Sequence, residues 1–555
     1  MPPIGVRAPA DRRSEMSESG FGRDRSAVTT PCSFPMDSDL IRAVRFAAWI
    51  LALGCLPGCG GGTVNSNSGS SSTASPTTAA VSGASPFSSS CGATVPTNTT
   101  ETFTLGSGLQ PQVAVIPGGS IVGVWEQDRW TGLGSRAVLS ALSSNGGSTW
   151  TKPVVLPFSA CGGGNGAGAA YDRTSDPWIS FAGSGVMVAS ALAFSANGFV
   201  EDNFAAAGGK SAVLLSRSTD GGSTWSAPTV LFADTNPGPT LYFNDRDSIT
   251  ADPSQGNVYV VWDRLPSDLP NLTDSAPAYL ARLSGGGATL SGVGIMYDPG
   301  AGNEAFNNQI VILPSGVLLD FFTLISNSGA TTLQVISSSN QGVKWSTTPA
   351  TVSTIVSVGT ANPIPNSSAI RDSMWMAQVA VDPASGAVAA VWQQSFSAGG
   401  TFDGIALSIS TDGGTTWSAP VQINGAATVA AFSPSVRYLP GSVLAVTYYD
   451  FRDFVAGSSV LSTDAWLTES PDGKTWHELR LQVPFDLNQA PQAWDSHIPF
   501  GGGTGLFLGD NQGLALVGSS ALALYAATNS AGARVVATQA PSPLTLSSAH
   551  VYTVP

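Results

Sequence analysis

The sequence predicts an all-β protein, a single β-propeller of seven blades in which each blade is a four-stranded antiparallel sheet. Three observations predict this fold class. The same eight-residue turn recurs along the chain, short apolar strands recur in pairs around turns rich in Gly, Pro and Asp, and no segment shows sustained helical periodicity. A propeller packs such units radially and leaves only short sheet edges.

Each residue type in the recurring turn has a local structural role. Residues 218–225 read Ser-Thr-Asp-Gly-Gly-Ser-Thr-Trp, residues 410–417 repeat them with one change, and looser copies begin at Ser143, Ser338 and Ser470. The Ser and Asp side chains can bond nearby backbone N–H groups, the Gly pair supplies positive φ, and the Trp buries a large ring. We therefore expect the third and last residues of these turns to be structural: Asn145, Trp150, Asp220, Trp225, Asn340, Trp345, Asp412, Trp417, Asp472 and Trp476.

Seven apolar hairpins supply the first two strands, A and B, of each predicted blade, and the recurring turn joins strands C and D. The hairpins are residues 111–125, 176–191, 247–262, 308–322, 374–392, 434–449 and 509–527. Blade three has residues 281–293 where the turn is expected, and blade seven lacks the turn. Residues 101–105 are predicted to supply the outer strand of blade seven and to close the ring.

Four segments follow one another along the chain. They are an upstream extension without folding signals (1–35), an export signal (36–58), a tether rich in Gly, Ser and Thr (59–99) and the propeller (100–555). The apolar run of the export signal is about 11 residues, too short to span a bilayer and typical of a signal-peptide core.

The export signal ends in Leu56-Pro57-Gly58-Cys59, which resembles the lipobox of bacterial lipoproteins. The resemblance implies that Cys59 is lipidated and becomes the first residue of the mature chain. The expected location is the bacterial cell envelope or surface, with the lipid as the only link to a membrane and the propeller as a monomer. An ordinary signal peptide cut nearby and a short membrane anchor are the alternatives.

Composition excludes several function classes. Only 11% of residues are charged and the net charge is −14, which argues against a surface that neutralises nucleic-acid phosphates. The three histidines are not spaced with cysteines as a zinc site requires. No cofactor is predicted, and Ca²⁺ is only weakly indicated because Asp245-Arg246-Asp247 carries its own counter-charge. In an exported protein, Cys91 and Cys161 either form a disulfide or remain two unrelated thiols.

The charges of this charge-poor chain concentrate at the start of the A strands and the end of the B strands. In a propeller these positions share the face opposite the recurring turns, around the central axis, where a binding site is expected. Arg exceeds Lys there, which suits carboxylate or phosphate recognition. Asp495 and Asp510 also stand near the last A strand. The candidate site residues are Asp172, Arg173, Asp176, Asp245, Arg246, Asp247, Arg264, Glu304, Arg371, Asp372, Tyr449 and Arg452. The alternative is that Asp–Arg pairs on this face tie adjacent blades together.

The recurring turn resembles the Asp-box, S/T-x-D-x-G-x-T-W/F, of the sialidase and BNR-repeat superfamily, and the resemblance covers about residues 100–540. It implies a β-propeller, with six blades as the alternative to seven because six is the usual number in sialidases. The superfamily contains both enzymes and non-catalytic propellers.

A sialidase uses three arginines around the substrate carboxylate, an acid/base Asp and a Tyr activated by a Glu. The resemblance makes the arginines of the charged face candidates for the first role, Tyr171, Tyr242, Tyr448 and Tyr449 for the nucleophile, and Glu126 and Glu304 for its activator. The Arg-Ile-Pro tripeptide of that family does not occur in the chain. The predicted function is therefore sialidase-like hydrolysis of extracellular glycans or, alternatively, non-catalytic binding of a glycan or a surface protein; a structural envelope role is a third reading.

Overall fold

The computed structural model describes residues 76–87, 103–195, 210–235, 242–266, 274–396, 400–495, 503–542, 544 and 549–554. These residues contain strands and no α-helix, apart from short 3-10 turns at Ala160–Gly162, Gly166–Ala170 and Leu487–Gln489. The predicted all-β class of four-stranded antiparallel sheets is confirmed. Within the described part of the chain, no helix has the length and apolar character needed to cross a bilayer.

We group most of the described strands into seven antiparallel units of four strands, called blades 1 to 7. Blades 3, 4, 5 and 7 are separate four-stranded sheets, blades 1 and 2 are joined into one eight-stranded sheet, and blade 6 carries two additional short strands. A short N-terminal strand, β1 (Thr78–Ala80), belongs to blade 7. Blade 1 contains β2 (Phe103–Val115), β3 (Ile121–Trp130), β4 (Ser135–Ser143) and β5 (Val154–Val155). Blade 2 contains β6 (Arg173–Phe181), β7 (Met187–Phe194), β8 (Ser211–Ser218) and β9 (Thr229–Asp234). Blade 3 contains β10 (Tyr242–Asp252), β11 (Asn257–Pro266), β12 (Ala278–Ser284) and β13 (Thr289–Tyr297).

The second half of the chain continues the same order. Blade 4 contains β14 (Glu304–Ile312), β15 (Leu318–Ile325), β16 (Thr331–Ser338) and β17 (Ala350–Thr354). A short strand, β18 (Ala369–Arg371), precedes blade 5, which contains β19 (Gln378–Val381), β20 (Val388–Gln394), β21 (Gly404–Ser410) and β22 (Val421–Gln422). Blade 6 contains β23 (Ala431–Leu439), β24 (Val443–Asp450), β25 (Ser462–Ser470) and β26 (Thr475–Arg480).

Three short strands separate blades 6 and 7 along the chain: β27 (Phe485–Asp486), β28 (Gln492–Asp495) and β29 (Gly503–Phe507). Blade 7 contains β30 (Gly513–Val517), β31 (Ser520–Asn529), β32 (Gly532–Pro541) and the N-terminal β1. The last strand, β33 (His550–Thr553), pairs with β26 and covers the outer edge of blade 6. Strands β18, β28 and β29 form a separate three-stranded sheet, which we call the cap sheet.

The innermost strands close a ring. Each of β2, β6, β10, β14, β19, β23 and β30 contacts the next, and β30 contacts β2. Buried apolar clusters fill the spaces between neighbouring blades. Trp125, Trp262 and Trp392 are fully buried on the second strands, and each indole N–H donates to a side-chain amide oxygen at 2.8–3.0 Å. Burial between the blades therefore holds the ring together.

The strand that closes the ring differs from the one predicted. Residues 78–80, assigned to the tether by sequence, form β1 and pair with β32 from Thr78 opposite Thr538 to Ala80 opposite Val536. The predicted closing segment instead contributes Phe103 to the innermost strand of blade 1, opposite Trp130. The physical reason is that an outer strand of three small residues needs little apolar surface, so its composition matches that of a tether. The export signal, Cys59 and Cys91 lie outside the described residues, so their predicted roles stay predictions; Cys161 is buried.

The recurring turns lie between the third and fourth strands of five blades, as predicted. In the turn after β8, the Ser218 hydroxyl donates to Asp220 Oδ1 at 2.7 Å and accepts from the Gly222 N–H at 2.7 Å, while the Thr224 N–H donates to Asp220 Oδ1 at 2.9 Å. Gly222 has φ 95°, and a Cβ there would lie 2.8 Å from Val122 of the preceding blade. The turn therefore needs glycine for both its conformation and its close packing.

Candidate functional site

A β-bulge recurs at one level of the innermost strands. The pairing register of β2, β6, β10, β14 and β23 with its partner shifts near the first third of the strand. Each bulge contains one non-glycine residue with φ between 49° and 56°: Gln110, Asp176, Arg246, Asn307 and Ser433. Left-handed backbone at such residues costs free energy and is found where a strand must redirect a side chain. Polar side chains from several blades thereby converge on the axis.

A small recess at the axis is lined in part by these bulges; its cavity volume is about 10 Å³, room for a single water-sized group such as a hydroxyl, and it opens to solvent. Blades 2, 3, 4 and 5 and the segment before β30 all contribute to it. Its lining residues are Asp176, Trp178, Arg246, Asp247, Ser248, Asn307, Asn308, Gln309, Gln378 and Asn511. Half of them are Asn or Gln, so the lining is polar and rich in groups that both donate and accept hydrogen bonds.

Two arginines meet one aspartate beside the recess. Arg371 Nη2 donates to Asp510 Oδ2 at 2.8 Å, and Arg246 Nη1 donates to the same oxygen. Arg246 is 10% exposed, Arg371 7% and Asp510 1%. Burial disfavours the charge of Arg246, but the carboxylates of Asp510, Asp245 and Asp176 outweigh it and raise the pKa of Arg246. The three residues join blade 3, the segment before blade 5 and the segment before blade 7 through one buried ionic cluster.

Asp176 connects this cluster to blade 1. Gln110 Nε2 donates to Asp176 Oδ1, and the backbone N–H of Asp176 donates to Glu126 Oε1 at 3.2 Å. Burial, assisted by the carboxylates of Asp245, Glu126 and Asp510 and opposed by Arg246, raises the pKa of Asp176 to about 7. Asp176 therefore exchanges a proton near neutral pH, which is where a general acid is most effective.

Asp247 lines the recess and is 1% exposed. Neither of its carboxyl oxygens makes a hydrogen bond of ordinary geometry to a described residue, although the Ser190 hydroxyl is close enough to lower its pKa. Burial raises the pKa of Asp247 well above its usual value, and nearby Ser190 only partly offsets this. Asn308 has a similar unpaired acceptor: its Nδ2 donates to the Ala305 carbonyl at 2.7 Å, but its Oδ1 makes no hydrogen bond within the described part of the chain. Buried acceptors without donors are costly and indicate a partner that brings its own hydrogen-bond donors.

The cap sheet positions Arg371. Arg371 is the last residue of β18, its Nη1 donates to the Trp494 carbonyl of β28 at 2.9 Å, and its guanidinium lies 4.2 Å from the Phe507 ring of β29. The Trp494 N–H donates to the Thr131 carbonyl, at 2.7 Å, in the loop after β3. The cap sheet therefore ties the arginine to blade 1 as well as to the cluster.

The structure brings together five of the predicted site residues: Asp176, Asp245, Arg246, Asp247 and Arg371. Asp245 is part of the same cluster, where burial raises its pKa against the lowering effect of Arg246 and Arg371. Asp176 comes from blade 2, the three consecutive residues 245–247 come from blade 3, and Arg371 comes from the cap sheet, so the fold brings together three separate segments of the chain.

Three predicted arginines lie away from this cluster. Arg173 donates to the Leu133 carbonyl at 2.9 Å and lies 4.5 Å from the Trp130 ring. Arg264 forms a two-point ion pair with Asp234, at 2.9 and 2.6 Å, and stacks on Tyr242. Arg452 binds Asp450 and Glu478 in blade 6. The Arg264–Asp234 pair fits the alternative interpretation, in which Asp–Arg pairs tie adjacent blades together, because it joins blades 2 and 3. The carboxylates that bind Arg452 both lie within blade 6.

The remaining predicted residues also have other neighbours. Tyr449 is buried in the core and its hydroxyl donates to the Ala526 carbonyl at 2.7 Å. Asp372 accepts from Gln393 Nε2 at 2.9 Å. Asp172 is half-buried before β6, and Glu304, the first residue of β14, forms an isolated bridge with Ala276. The Tyr448 hydroxyl donates to Glu478 inside blade 6, and burial raises the pKa of Tyr448 well above its usual value.

Sequence reasoning missed the amide side chains of the recess. Asn307, Asn308, Gln309, Gln378 and Asn511 line it but carry no charge, so a search for charges passed over them. The run Asn307-Asn308-Gln309 at the start of an innermost strand was the available signal, since three consecutive amides are unusual in an apolar hairpin. No group of three or more His, Cys, Asp or Glu side chains among the described residues is arranged to hold a metal ion.

Comparison with known proteins finds likeness of structure only. No protein-family model matches the chain, and no curated protein sequence is similar to it. Among solved structures, the Hadza microbial sialidase Hz136 has 14% identity and a TM-score of 0.42, with 76% of this chain and 77% of that chain covered. The α-L-arabinofuranosidase Arb93A from Fusarium graminearum has 12% identity and a TM-score of 0.41, covering 84% and 98%. The NanB sialidase from Streptococcus pneumoniae has 10% identity and a TM-score of 0.40, covering 80% and 93%.

At these values the likeness carries no argument about activity. The fold and the site define a β-propeller with a buried, polar recess on its axis. The chemistry of the recess is therefore the best guide to function.

Proposed function

We propose that this protein binds an extracellular glycan in the axial recess. The observation that carries the proposal is the pair of buried, unpaired acceptors in the recess, Asp247 and Asn308 Oδ1. A sugar presents several hydroxyl groups, each of which donates as well as accepts, so it supplies the donors that these oxygens lack. Leaving such oxygens without a partner costs roughly 1–3 kcal/mol each, and a ligand that satisfies them recovers this free energy.

The rest of the lining suits the same ligand. Gln378 Nε2 donates to Asn511 Oδ1 at 2.8 Å and Asn307 Nδ2 donates to the Ala377 carbonyl at 3.1 Å, so these amides are held in place by the fold. The half-exposed Trp178 offers an aromatic surface for the C–H face of a sugar ring. A fixed polar lining beside an aromatic ring limits the entropy that binding would otherwise cost.

A glycan array tests this proposal. The purified propeller should bind a definite subset of glycans, and Trp178→Ala should weaken that binding. Asp220→Asn, in a recurring turn that contributes no residue to the recess, is the control and should bind as the wild type does. An empty array would contradict glycan binding, and a pull-down that then retrieved a surface protein would favour the alternative of a protein ligand.

Hydrolysis of the bound glycan is the second candidate, favoured by the pKa of Asp176 near 7. In that reaction Asp176 would protonate the glycosidic oxygen as its bond to the anomeric carbon breaks, and water would add to that carbon and release a proton to a second carboxylate. The sequence resemblance suggests a sialidase-like exo-glycosidase as the form of such an enzyme. Turnover of a glycoside panel that disappears in Asp176→Asn would support hydrolysis, and binding without turnover would leave the binding function alone.

We also propose that the mature protein is held at the cell envelope by a lipid on Cys59, on the strength of the Leu-Pro-Gly-Cys sequence. Labelling cells with a lipid precursor should mark the wild type but not Cys59→Ala. Cys55→Ala is the matched control because Cys55 lies in the same export signal, and it should be labelled. Equal labelling of the wild type and Cys59→Ala would contradict the anchor.

A further inference from the structure

We infer that the axial recess selects uncharged glycans and rejects carboxylated ones, because Asp510 of the protein itself occupies the position between the Arg246 and Arg371 guanidinium groups. This inference rests on the glycan binding proposed above and names the class of ligand for that site. It runs against the expectation from the sequence that the arginines of this face recognise a ligand carboxylate.

Both guanidinium groups already bind a carboxylate of the protein itself. Both donate to Asp510 Oδ2, Arg371 at 2.8 Å, and all three side chains are at most 10% exposed. Paired guanidinium groups are the usual means of holding a carboxylate. Since the oxygen that would belong to a ligand is supplied internally, an acidic sugar gains no charge-assisted hydrogen bond without first displacing Asp510.

Displacement of Asp510 is hindered by its backbone. The Ser373 hydroxyl donates to the Asp510 carbonyl at 2.8 Å, and the Gln110 N–H donates to the Leu508 carbonyl at 3.1 Å. Between them, Gly509 has φ 124°, and a Cβ at this residue would lie 2.5 Å from the Gln110 Cα and N. The segment that presents Asp510 is therefore packed against blade 1 and fixed on both sides.

The charged groups around the recess leave no net positive charge that would attract an anion. Asp510 and Asp245 balance Arg246 and Arg371, even when Asp176 and Asp247 are both protonated. Ionisation of Asp176 or Asp247 makes the surroundings negative. At low exposure such charges are weakly screened, so a second carboxylate entering this space would be repelled.

Binding to the wild-type propeller tests this selection directly. Neutral oligosaccharides and their uronic-acid counterparts of equal length and linkage, such as β-1,4-mannan and β-1,4-mannuronan fragments, are compared by calorimetry at low salt. We expect at least one neutral member to bind at least tenfold more tightly than its acidic counterpart. An acidic member that binds as tightly as its neutral counterpart, or more tightly, overturns the selection while leaving glycan binding intact. Failure of every member to bind overturns the proposed function and the inference with it.

Asp510→Ala provides the second arm, because it removes the internal carboxylate and vacates the position between the two guanidinium groups. Affinity for the acidic oligosaccharides should rise at least tenfold, and formate should raise the melting temperature of this variant but not that of the wild type. Asp234→Ala, which removes the partner of Arg264 elsewhere in the ring, is the matched control and should show neither effect. An unchanged ratio of neutral to acidic affinity in a folded Asp510→Ala contradicts the inference; if that variant does not fold, the wild-type comparison decides.

Discussion

Aspartates in two regions of this propeller have opposite surroundings. In the recurring turns, hydrogen bonds from the side chain and backbone of Thr224 lower the pKa of Asp220 to about 2, and equivalent bonds from Thr416 and Thr475 lower those of Asp412 and Asp472 to about 2. At the axis, burial raises the pKa of Asp176 to about 7 and that of Asp247 well above its usual value. The turn aspartates are exposed and hydrogen-bonded, whereas Asp247 is buried and receives no hydrogen bond of ordinary geometry from the described residues.

This difference distinguishes the aspartates that stabilise the recurring turns from those at the axial recess. Two of the five turns carry Asn in place of Asp, and these asparagines accept the same hydrogen bond: Thr149 N–H to Asn145 Oδ1 at 3.0 Å and Lys344 N–H to Asn340 Oδ1 at 2.9 Å. The turn position therefore needs an oxygen acceptor and does not need a charge. The axial aspartates carry a free-energy cost that folding alone does not require, which is typical of functional sites.

The largest expected effect follows from removing an axial arginine. Arg246→Ala leaves Asp510, Asp245 and Asp176 buried with less compensating charge, and we expect it to lower the free energy of unfolding by about 3–5 kcal/mol. Arg217→Ala is the matched control at the other end of the strands, where Arg217 Nε donates to the Gly286 carbonyl at 2.7 Å, and should cost about 1 kcal/mol. Urea denaturation at neutral pH measures both, and equal losses would contradict the distinction between the two regions.

A smaller effect is expected from the titration of Asp176. The folded protein holds this proton more tightly than an ordinary Asp with a pKa of 3.8, so its stabilising contribution is complete below about pH 4 and is lost as pH rises to about 7. Between pH 5 and pH 8 the wild type should lose about 2–3 kcal/mol through this group, and Asp176→Asn should not show this loss.

The contribution of the turn residue Asp220 to stability changes with pH in the opposite direction to that of Asp176 and over a different pH range. Because the pKa of Asp220 is lowered to about 2, its contribution is present above about pH 4 and is lost as pH falls towards 2. Asp220→Asn should therefore leave the change between pH 5 and pH 8 as in the wild type. Thermal melts across this range check both variants, and an Asp176→Asn profile parallel to that of the wild type would contradict the assignment.

The smallest effect belongs to the recurring turn. Asp220→Ala removes the acceptor of the Thr224 N–H and hydroxyl in an exposed turn, and we expect a loss of about 0.5–1 kcal/mol. Asp220→Asn keeps the acceptor that Asn145 and Asn340 supply elsewhere and should cost less. Equilibrium unfolding measures the free energy of unfolding of both variants. A larger loss for Asp220→Asn than for Asp220→Ala would show that the charge of Asp220 itself stabilises the turn.

Much of the scaffold could be predicted from sequence because its signals are local. Alternation of apolar residues and the Asp-Gly-Gly turns depend on neighbouring residues, so the hairpins and the positions of the five turns were correctly predicted. The closing strand could not be predicted, because Thr78, Ala79 and Ala80 gain their partners from residues more than 450 positions away. The pairing of a short edge strand depends on what it meets in space.

The site was only partly predictable for the same reason. Clustering of charges in the sequence identified the five residues that meet at the axis: Asp176, Asp245, Arg246, Asp247 and Arg371. It also selected Arg173, Arg264 and Arg452, because the sequence does not show which charged side chains have partners nearby. The bulges that turn Asp176 and Arg246 to the axis leave no composition signal, and the cap sheet pairs residues 369–371 with residues 505–507, which lie 136 positions further along the chain. The role of Asp510 depends on three segments meeting at one point.

The central claim, that the axial recess and not the recurring turn binds the ligand, rests most directly on Asp247. The decisive measurement is the affinity of the wild type, Asp247→Leu and Asp220→Asn for one glycan selected from the array. Asp247→Leu keeps the approximate volume of the side chain but has no hydrogen-bonding atom, so it should bind at least tenfold more weakly, while Asp220→Asn should bind as the wild type does. Unchanged binding by a folded Asp247→Leu, or an equal loss in both variants, would contradict the claim.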